Sequence, residues 1–423
     1  MSPNSSEDLE AVPNADDSGP TDPSDRIVSL DALRGFALLG ILVINIWLFA
    51  LPTVATYNPV LYGDFSGVNY VAWFVSHVFF ERKFVTLFTF MFGAGIVLFL
   101  ESKQRKGQPG RKLHFSRTFW LLVIGLGHAY LLWYGDILVF YALSGFLVVW
   151  VWQWRPLRQF VLGAVLFAIP SLLYLLLGVS YLVLPEEGQL QLEEELLAAF
   201  GADYSPEREI EIYQSGWLDQ VAHRVPILVE YHTLGFVSEL FWTVGGMMLV
   251  GMALYKWGVL SNSRSTRFYK RLLVGGGSVG LALVLAGVWV REVVAWETIP
   301  VLTLAFQFNY WGAPLLAIGY IGGIMVLCRW FRNGIVVQAL AAVGRTAFTN
   351  YLFQTVIATT IFYGYGLGLF GQVSRIGLLG IVVLIWAIQI PASVWWLERF
   401  RFGPVEWVWR TLTYRRRQPM RPQ

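Results

Sequence analysis

Charge is scarce in this sequence. Only 14% of its 423 residues are Asp, Glu, Lys or Arg, where a soluble domain carries roughly a quarter. Cysteine is scarcer: the single Cys328 rules out a disulfide framework and reads as a small buried apolar residue. The first 25 positions hold no basic residue and no aromatic, but seven acids and four prolines. Such a stretch buries too little apolar area to order itself. It also lacks the basic and apolar regions of a signal peptide, so the first apolar run is expected to stay as a membrane helix. Walker, CxxC, HExxH and dinucleotide fingerprints are missing. What fills the space is apolar: 56% hydrophobic residues and 16% aromatics, with a mean hydropathy of +0.55. Soluble, collagenous, disulfide-rich and disordered classes fall away. An all-α, polytopic membrane helix bundle remains.

A helix needs about 20 apolar residues to cross the hydrocarbon layer. Ten stretches approach that length: Leu30–Leu51, Phe84–Leu100, Thr118–Trp133, Ile137–Trp152, Phe160–Leu184, Leu234–Tyr255, Leu272–Val290, Val301–Leu327, Val343–Phe370 and Ile376–Leu397. Gly67–Phe80 is shorter and reads as interfacial or re-entrant. The organisation is then a disordered acidic tail (1–25), N-terminal membrane helices (26–184), an outer loop with amphipathic helices (185–226), C-terminal membrane helices (227–400) and a basic, aromatic interfacial tail (401–423). With the N-terminus inside, only Arg82, Lys83, Arg208, Arg224, Arg291 and Arg375 of the 31 basic residues face outward. This positive-inside bias places both termini in the cytoplasm. Gly364, Gly366 and Gly368 are too dense for a straight helix and predict an unwound outer end for the ninth span. The glycines around Gly93, Gly275–Gly277 and Gly319–Gly323 predict close helix contacts.

Ionisable and amide groups inside a membrane are costly unless partnered, so each is a functional hypothesis by default. Three constellations stand out, and interhelix glue is the plain alternative for each. In SLDALRG (29–35), Asp31 and Arg34 share a helical face; Arg34 suits a phosphate near the inner surface, and Asn45 lies fifteen residues into the helix. In GLGHAYLLWYGDIL (125–138), His128 is the one histidine placed at mid-membrane depth and a base of chemically suitable type; Trp133 and Asp136 follow. A histidine bonded to a carbonyl would look the same. In VGRTAFTNYLFQT (343–355), Arg345 opens the helix, and Thr346, Asn350 and Gln354 form a stripe at i, i+4, i+8. Lys83, against the charge trend, joins the outer group. A route from Asp31, Arg34 and Arg345 past His128, Gln354 and Asn45 to Asp136 is the expected site.

The stretches RIVSLDALRGFALLGILVIN (26–45), KFVTLFTFMFGAG (83–95), GLGHAYLLWYGDILVFYAL (125–143), GRTAFTNYLFQT (344–355), FYGYGLGLFG (362–371) and FGPVEWVWRTLTY (402–414) resemble the YeiB family of bacterial multipass membrane proteins. They run in order across nearly the whole chain. The first also resembles the opening helix of transmembrane acyltransferases, including the heparan-glucosaminide N-acetyltransferases. That resemblance implies an acyl group taken from cytoplasmic acyl-CoA, as co-substrate, and delivered to a sugar or glycolipid acceptor across a bacterial inner membrane. It equates Arg34 with the arginine of the O-acyltransferase motif, whose histidine partner falls eleven residues later, where this chain has Asn45. His128 is the replacement base on chemical grounds, with Asp136 orienting the acceptor and Asn45 and Gln354 polarising the thioester carbonyl. No metal and no nucleic acid are expected; membrane lipids are the surrounding partners, and homo-oligomerisation is left open. A transporter or flippase would use the same polar groups for recognition, and a non-catalytic assembly protein is the third class.

Overall fold

A computed structural model describes residues 27–198 and 204–421; the acidic tail 1–25 lies outside them. Among the described residues every regular element is a helix. The reason is the long apolar runs, broken by Pro, Gly and short polar turns. Helix α1 (Val28–Ala50) runs without a proline until Pro52, which forces Leu51 into an extended conformation (φ −122°, ψ 152°) and ends the helix. A helical turn α2 (Thr53–Tyr57) and α3 (Gly67–Phe79) follow. At 1.5 Å per residue α3 is about 20 Å long, too short to cross alone, and Arg82, with φ of 65°, separates it from α4 (Lys83–Arg105).

The chain continues through α5 (Gly110–Leu131), α6 (Leu138–Val148), α7 (Pro156–Val183), α8 (Glu186–Ala198) and α9 (Pro206–Gln214). The amphipathic stretch 208–225 is divided at Ser215 and Gly216. Its second half becomes α10 (Trp217–Glu230), which runs through a π-helical segment, Tyr231–Leu240, into α11 (Phe241–Lys256). The sixth span therefore begins well before the expected Leu234. A second π-helical segment, Val301–Ala305, follows the short α13 (Thr298–Pro300); both π segments come after a proline (Pro226, Pro300), whose missing N–H disturbs the i→i−4 ladder. The remaining helices are α12 (Thr266–Val293), α14 (Phe306–Trp330), α15 (Ile335–Arg345), α16 (Ala347–Phe362), α17 (Arg375–Arg399) and α18 (Pro404–Tyr414).

Among the described residues, seven helical stretches are long and apolar enough to cross a membrane: Val28–Ala50, Gly67–Arg105, Pro156–Val183, Trp217–Lys256, Thr266–Val293, Thr298–Trp330 and Arg375–Arg399. The three other expected spans fall on α5, on α6 with its continuation to Val151, and on α16. The ninth is not one helix. It breaks at Thr346 between α15 and α16 and ends at Phe362, with the glycine-rich 363–374 turn beyond it.

Burial sorts the bundle. The apolar window of α1 is 72% buried, whereas those of α7, α12 and α17 are 22%, 28% and 28% buried. So α1 is the axis, packed on α4, α14, α15, α16 and α17. The outer helices leave leucines and valines such as Leu176, Leu182, Val274 and Leu384 uncovered, as lipid-facing residues should be. The most extensive pairing is α12 with α14, where Gly276 and Gly280 meet Gly312 and Gly319.

Candidate functional site

The site begins where α1 crosses α15. A Cβ added to Gly35 would lie 1.9 Å from the Leu340 carbonyl oxygen, and one added to Gly344 would lie 1.9 Å from that of Asp31. Only glycine allows the two backbones to touch in this way. The contact has a consequence for charge. Each glycine has an arginine beside it, so the crossing delivers Arg34 and Arg345 to the wall of a single cavity. Arg34 donates to Asp31 at 2.9 Å.

The cavity has a volume of about 320 Å³. Its mouth is basic: Arg34, Arg117, Arg345, Arg401 and Arg410, with Asp31 and Glu406 as the carboxylates. Its interior is apolar, from Leu38 and Ile41 of α1, Met91, Ile96 and Phe99 of α4, and Leu138 of α6. Ile27, just before α1, and helix α18 both line the cavity.

Helix α18 is amphipathic and lies over α5 and α16. Its Trp409 donates to the Arg117 carbonyl at 2.9 Å, and the Arg117 guanidinium sits 4.5 Å from the Trp409 ring. Glu406 is 9% exposed and accepts from the Phe348 and Thr349 amides at 2.7 and 3.1 Å, and from the Thr349 hydroxyl at 2.5 Å. A carboxylate from a distant helix thereby caps the first turn of α16, satisfying amides that the break at Thr346 leaves open. Burial pushes the Glu406 carboxyl above its ordinary pKa, against the pull of those hydrogen bonds.

On the α5 side, His114 lines the cavity. Its Nε2 lies 3.1 Å from the Gly145 carbonyl and 3.3 Å from the Thr118 hydroxyl. A carbonyl only accepts, so Nε2 carries the hydrogen and Nδ1 is the basic nitrogen.

The floor is Tyr351, with Ile137 and Tyr141. Behind it stands the second polar unit. The His128 ring lies 5.2 Å from that of Tyr351. His128 Nδ1 is 2.7 Å from Asp136 Oδ1, and its Nε2 is 2.9 Å from Thr355 Oγ1. The Val139 amide donates to the other Asp136 oxygen at 2.8 Å. All three side chains are buried, at 3%, 3% and 1% exposure. Trp133 is fully buried alongside, stacked on Phe49 at 3.9 Å and edge-on to His128 at 6.2 Å.

The other expected site residues lie elsewhere. Asn45 is half-buried and does not line the cavity. Lys83 is buried among different helices, donating to the His77 carbonyl at 2.7 Å and to Asn309 Oδ1 at 2.5 Å. Asn309 in turn donates to Glu81, which also meets His77. Asn350 donates to Ser393 at 2.9 Å and Gln354 to Gln389 at 2.9 Å, while Gln389 returns a bond to the Asn350 carbonyl. The Asn350–Gln354 stripe thus joins α16 to α17. The expected route therefore separates into a mouth (Asp31, Arg34, Arg345), a unit behind the floor (His128, Asp136, Trp133), a helix seam (Asn350, Gln354) and a separate cluster (Lys83).

Sequence reasoning passed over Arg117, Arg410, Glu406, His114, Tyr351 and Thr355. The expected span Thr118–Trp133 leaves His114 outside it, whereas the helix starts at Gly110. The spacing His114, Thr118, Leu121 was the available signal. Tyr351 and Thr355 are another i, i+4 pair, offset by one residue, or about 100° around the helix, from Asn350 and Gln354. Helix α16 has two polar stripes, and the sequence reading took only one.

Residues 254–416 match a family described as "Protein of unknown function (DUF418)"; that stretch carries α15, α16 and α18, one side of the cavity. The chain is 34% identical over 415 residues to the "Uncharacterized protein YeiB" of Escherichia coli (strain K12), covering 93% of this chain and 98% of that protein. It is 32% identical over 416 residues to the "Uncharacterized protein YxaH" of Bacillus subtilis (strain 168), covering 95% and 97%.

Proposed function

The chain belongs to the YeiB family of membrane proteins, and on that footing we propose that it is an acyltransferase of the bacterial inner membrane. It takes an acyl group from cytoplasmic acyl-CoA and passes it to a sugar or glycolipid on the other side. The mouth of the cavity and both termini then face the cytoplasm, in keeping with the distribution of basic residues.

The observation that carries this reading is the cavity, with five arginines around an apolar interior. Guanidinium groups fit phosphates through paired, charge-assisted hydrogen bonds, and the apolar depth suits the pantetheine and acyl parts of the donor. The His128–Asp136 pair supplies the base. An ionised carboxylate accepts from Nδ1–H and fixes the tautomer, leaving Nε2 to take a proton. Tyr351 separates this pair from the cavity, so its ring must swing aside for the two to communicate.

A transporter has one observation of its own, the discontinuous α15–α16 helix beside the cavity. In transporters the positive end of such a half-helix holds an anionic substrate. Here Glu406 already occupies that end, which favours the enzyme. Isothermal titration of the purified protein with acetyl-CoA and a long-chain acyl-CoA tests the proposal. Arg34→Ala and Arg345→Ala are each expected to weaken binding at least tenfold. Absence of acyl-CoA binding to wild type, with uptake of a solute by reconstituted vesicles, would overturn it.

A further inference from the structure

The His128–Asp136 pair has a third member. Thr355 Oγ1 lies 2.9 Å from His128 Nε2, nearer than the competing acceptor, the Tyr351 carbonyl oxygen one helical turn back at 3.4 Å. With the tautomer set by Asp136, Nε2 is the acceptor and the threonine hydroxyl is the donor. Carboxylate, imidazole and hydroxyl thus stand in the order found in nucleophilic triads. The three come from α5, the α5–α6 turn and α16. They are held by the Val139 amide on Asp136 and by packing of His128 against Trp133 and Tyr351.

Depth agrees with this role. Thr355 is eight residues along α16 from Ala347, the first residue beyond the break that follows Arg345, or about 12 Å at 1.5 Å per residue. An extended phosphopantetheine arm covers a distance of that order, so phosphates held at the arginine mouth place a thioester near the level of Thr355. Tyr351, the floor of the cavity, is on the same face of α16 and one turn short of it.

Resting on the acyltransferase reading, we propose that Thr355 is the nucleophile and carries the acyl group as an ester between two half-reactions. In the first, Thr355 Oγ attacks the thioester carbonyl carbon and its proton passes to His128 Nε2. The C–S bond breaks, and the departing thiolate takes that proton to leave as the free thiol. In the second, a hydroxyl of the sugar acceptor attacks the threonyl ester, giving its proton to His128, which returns it to Thr355 Oγ as the C–O bond breaks. The Trp133 indole N–H, buried beside His128 and without a hydrogen-bond partner among the described residues, is a donor for the oxyanion of either step.

The test uses full-length protein in detergent, incubated with radiolabelled acetyl-CoA and no acceptor, then quenched in acid and digested for mass spectrometry. Wild type is expected to hold one acetyl group on the peptide containing Thr355. Thr355→Ser should keep the label, now on serine. Thr355→Ala and His128→Gln should lose it while still binding acetyl-CoA within about twofold of wild type, because the arginine mouth is untouched. A purely structural threonine predicts no adduct in any variant. Acetyl-CoA turnover by wild type without an adduct, or undiminished turnover by Thr355→Ala, overturns the nucleophile but leaves the acyltransferase standing. Failure of wild type to bind acetyl-CoA overturns both.

Discussion

The contact of Gly344 with α1 gives the most decisive prediction about the architecture. In Gly344→Ala the new methyl carbon would sit 1.9 Å from the Asp31 carbonyl oxygen and 2.8 Å from the Gly35 nitrogen. Ordinary contact begins near 3.4 Å, so the helices must part locally by about 1.5 Å, the difference of the two distances. Overpacking of this kind costs roughly 1–3 kcal/mol. Alanine returns up to about 1 kcal/mol of helix propensity, so a net loss of up to about 2 kcal/mol is expected. Gly275→Ala is the control, since a Cβ there meets nothing within 4 Å and the propensity gain stands alone. The two substitutions should have opposite signs in denaturant unfolding in mixed micelles. Because Arg345 adjoins the crossing, Gly344→Ala should also weaken the acyl-CoA binding proposed above. Equal stability of the two variants would refute the close crossing of α1 and α15.

Two further outcomes follow from buried carboxylates. Glu209 is 3% exposed and accepts from the Thr53 amide at 2.8 Å, the Thr53 hydroxyl at 2.7 Å and the Tyr204 hydroxyl at 2.9 Å, joining α9 to the start of α2. Burial raises its pKa above the ordinary 4.5 despite those bonds. The folded state then binds the proton more tightly, so this contribution is full below pH 4.5 and fades as pH rises through the raised folded value. Melting temperature measured against pH should show wild type losing ground to Glu209→Gln across that window; parallel curves would contradict the assignment. Glu406→Ala removes the cap of α16 and should cost about 2–4 kcal/mol, a cap plus charge-assisted bonds, and speed amide exchange at residues 348 and 349. Unchanged protection there would refute the capping role.

The fold class was legible because it depends on bulk quantities, namely apolar run length and the sites of charge. The interruption at Gly364–Gly368 was legible for a similar reason, being purely local. The division of the ninth span at Thr346 was not, since the group that caps the new helix, Glu406, lies 58 residues beyond its partner Phe348. The site shows the same limit. Asp31 with Arg34 is a local i, i+3 pair and could be read directly. Thr355 with His128 spans 227 residues, and periodicity cannot say which stripe of α16 meets α5. Lys83 shows the same limit: its charge is conspicuous in the sequence, but its partners, Asn309 and the His77 carbonyl, lie in a cluster apart from the cavity.

The cap on α16 also has a consequence for how the protein is made. A ribosome adds about 5–20 residues per second, so Glu406 emerges about 3–12 seconds after Phe348, given the 58 residues between them. Throughout that interval the first turn of α16 lies in the nascent chain with its amides open, and the wall that α18 contributes to the cavity is missing. Translation of the spans and completion of the cavity wall are therefore separate events in time. Nothing that depends on the finished chamber can be held until residues 404–414 have arrived.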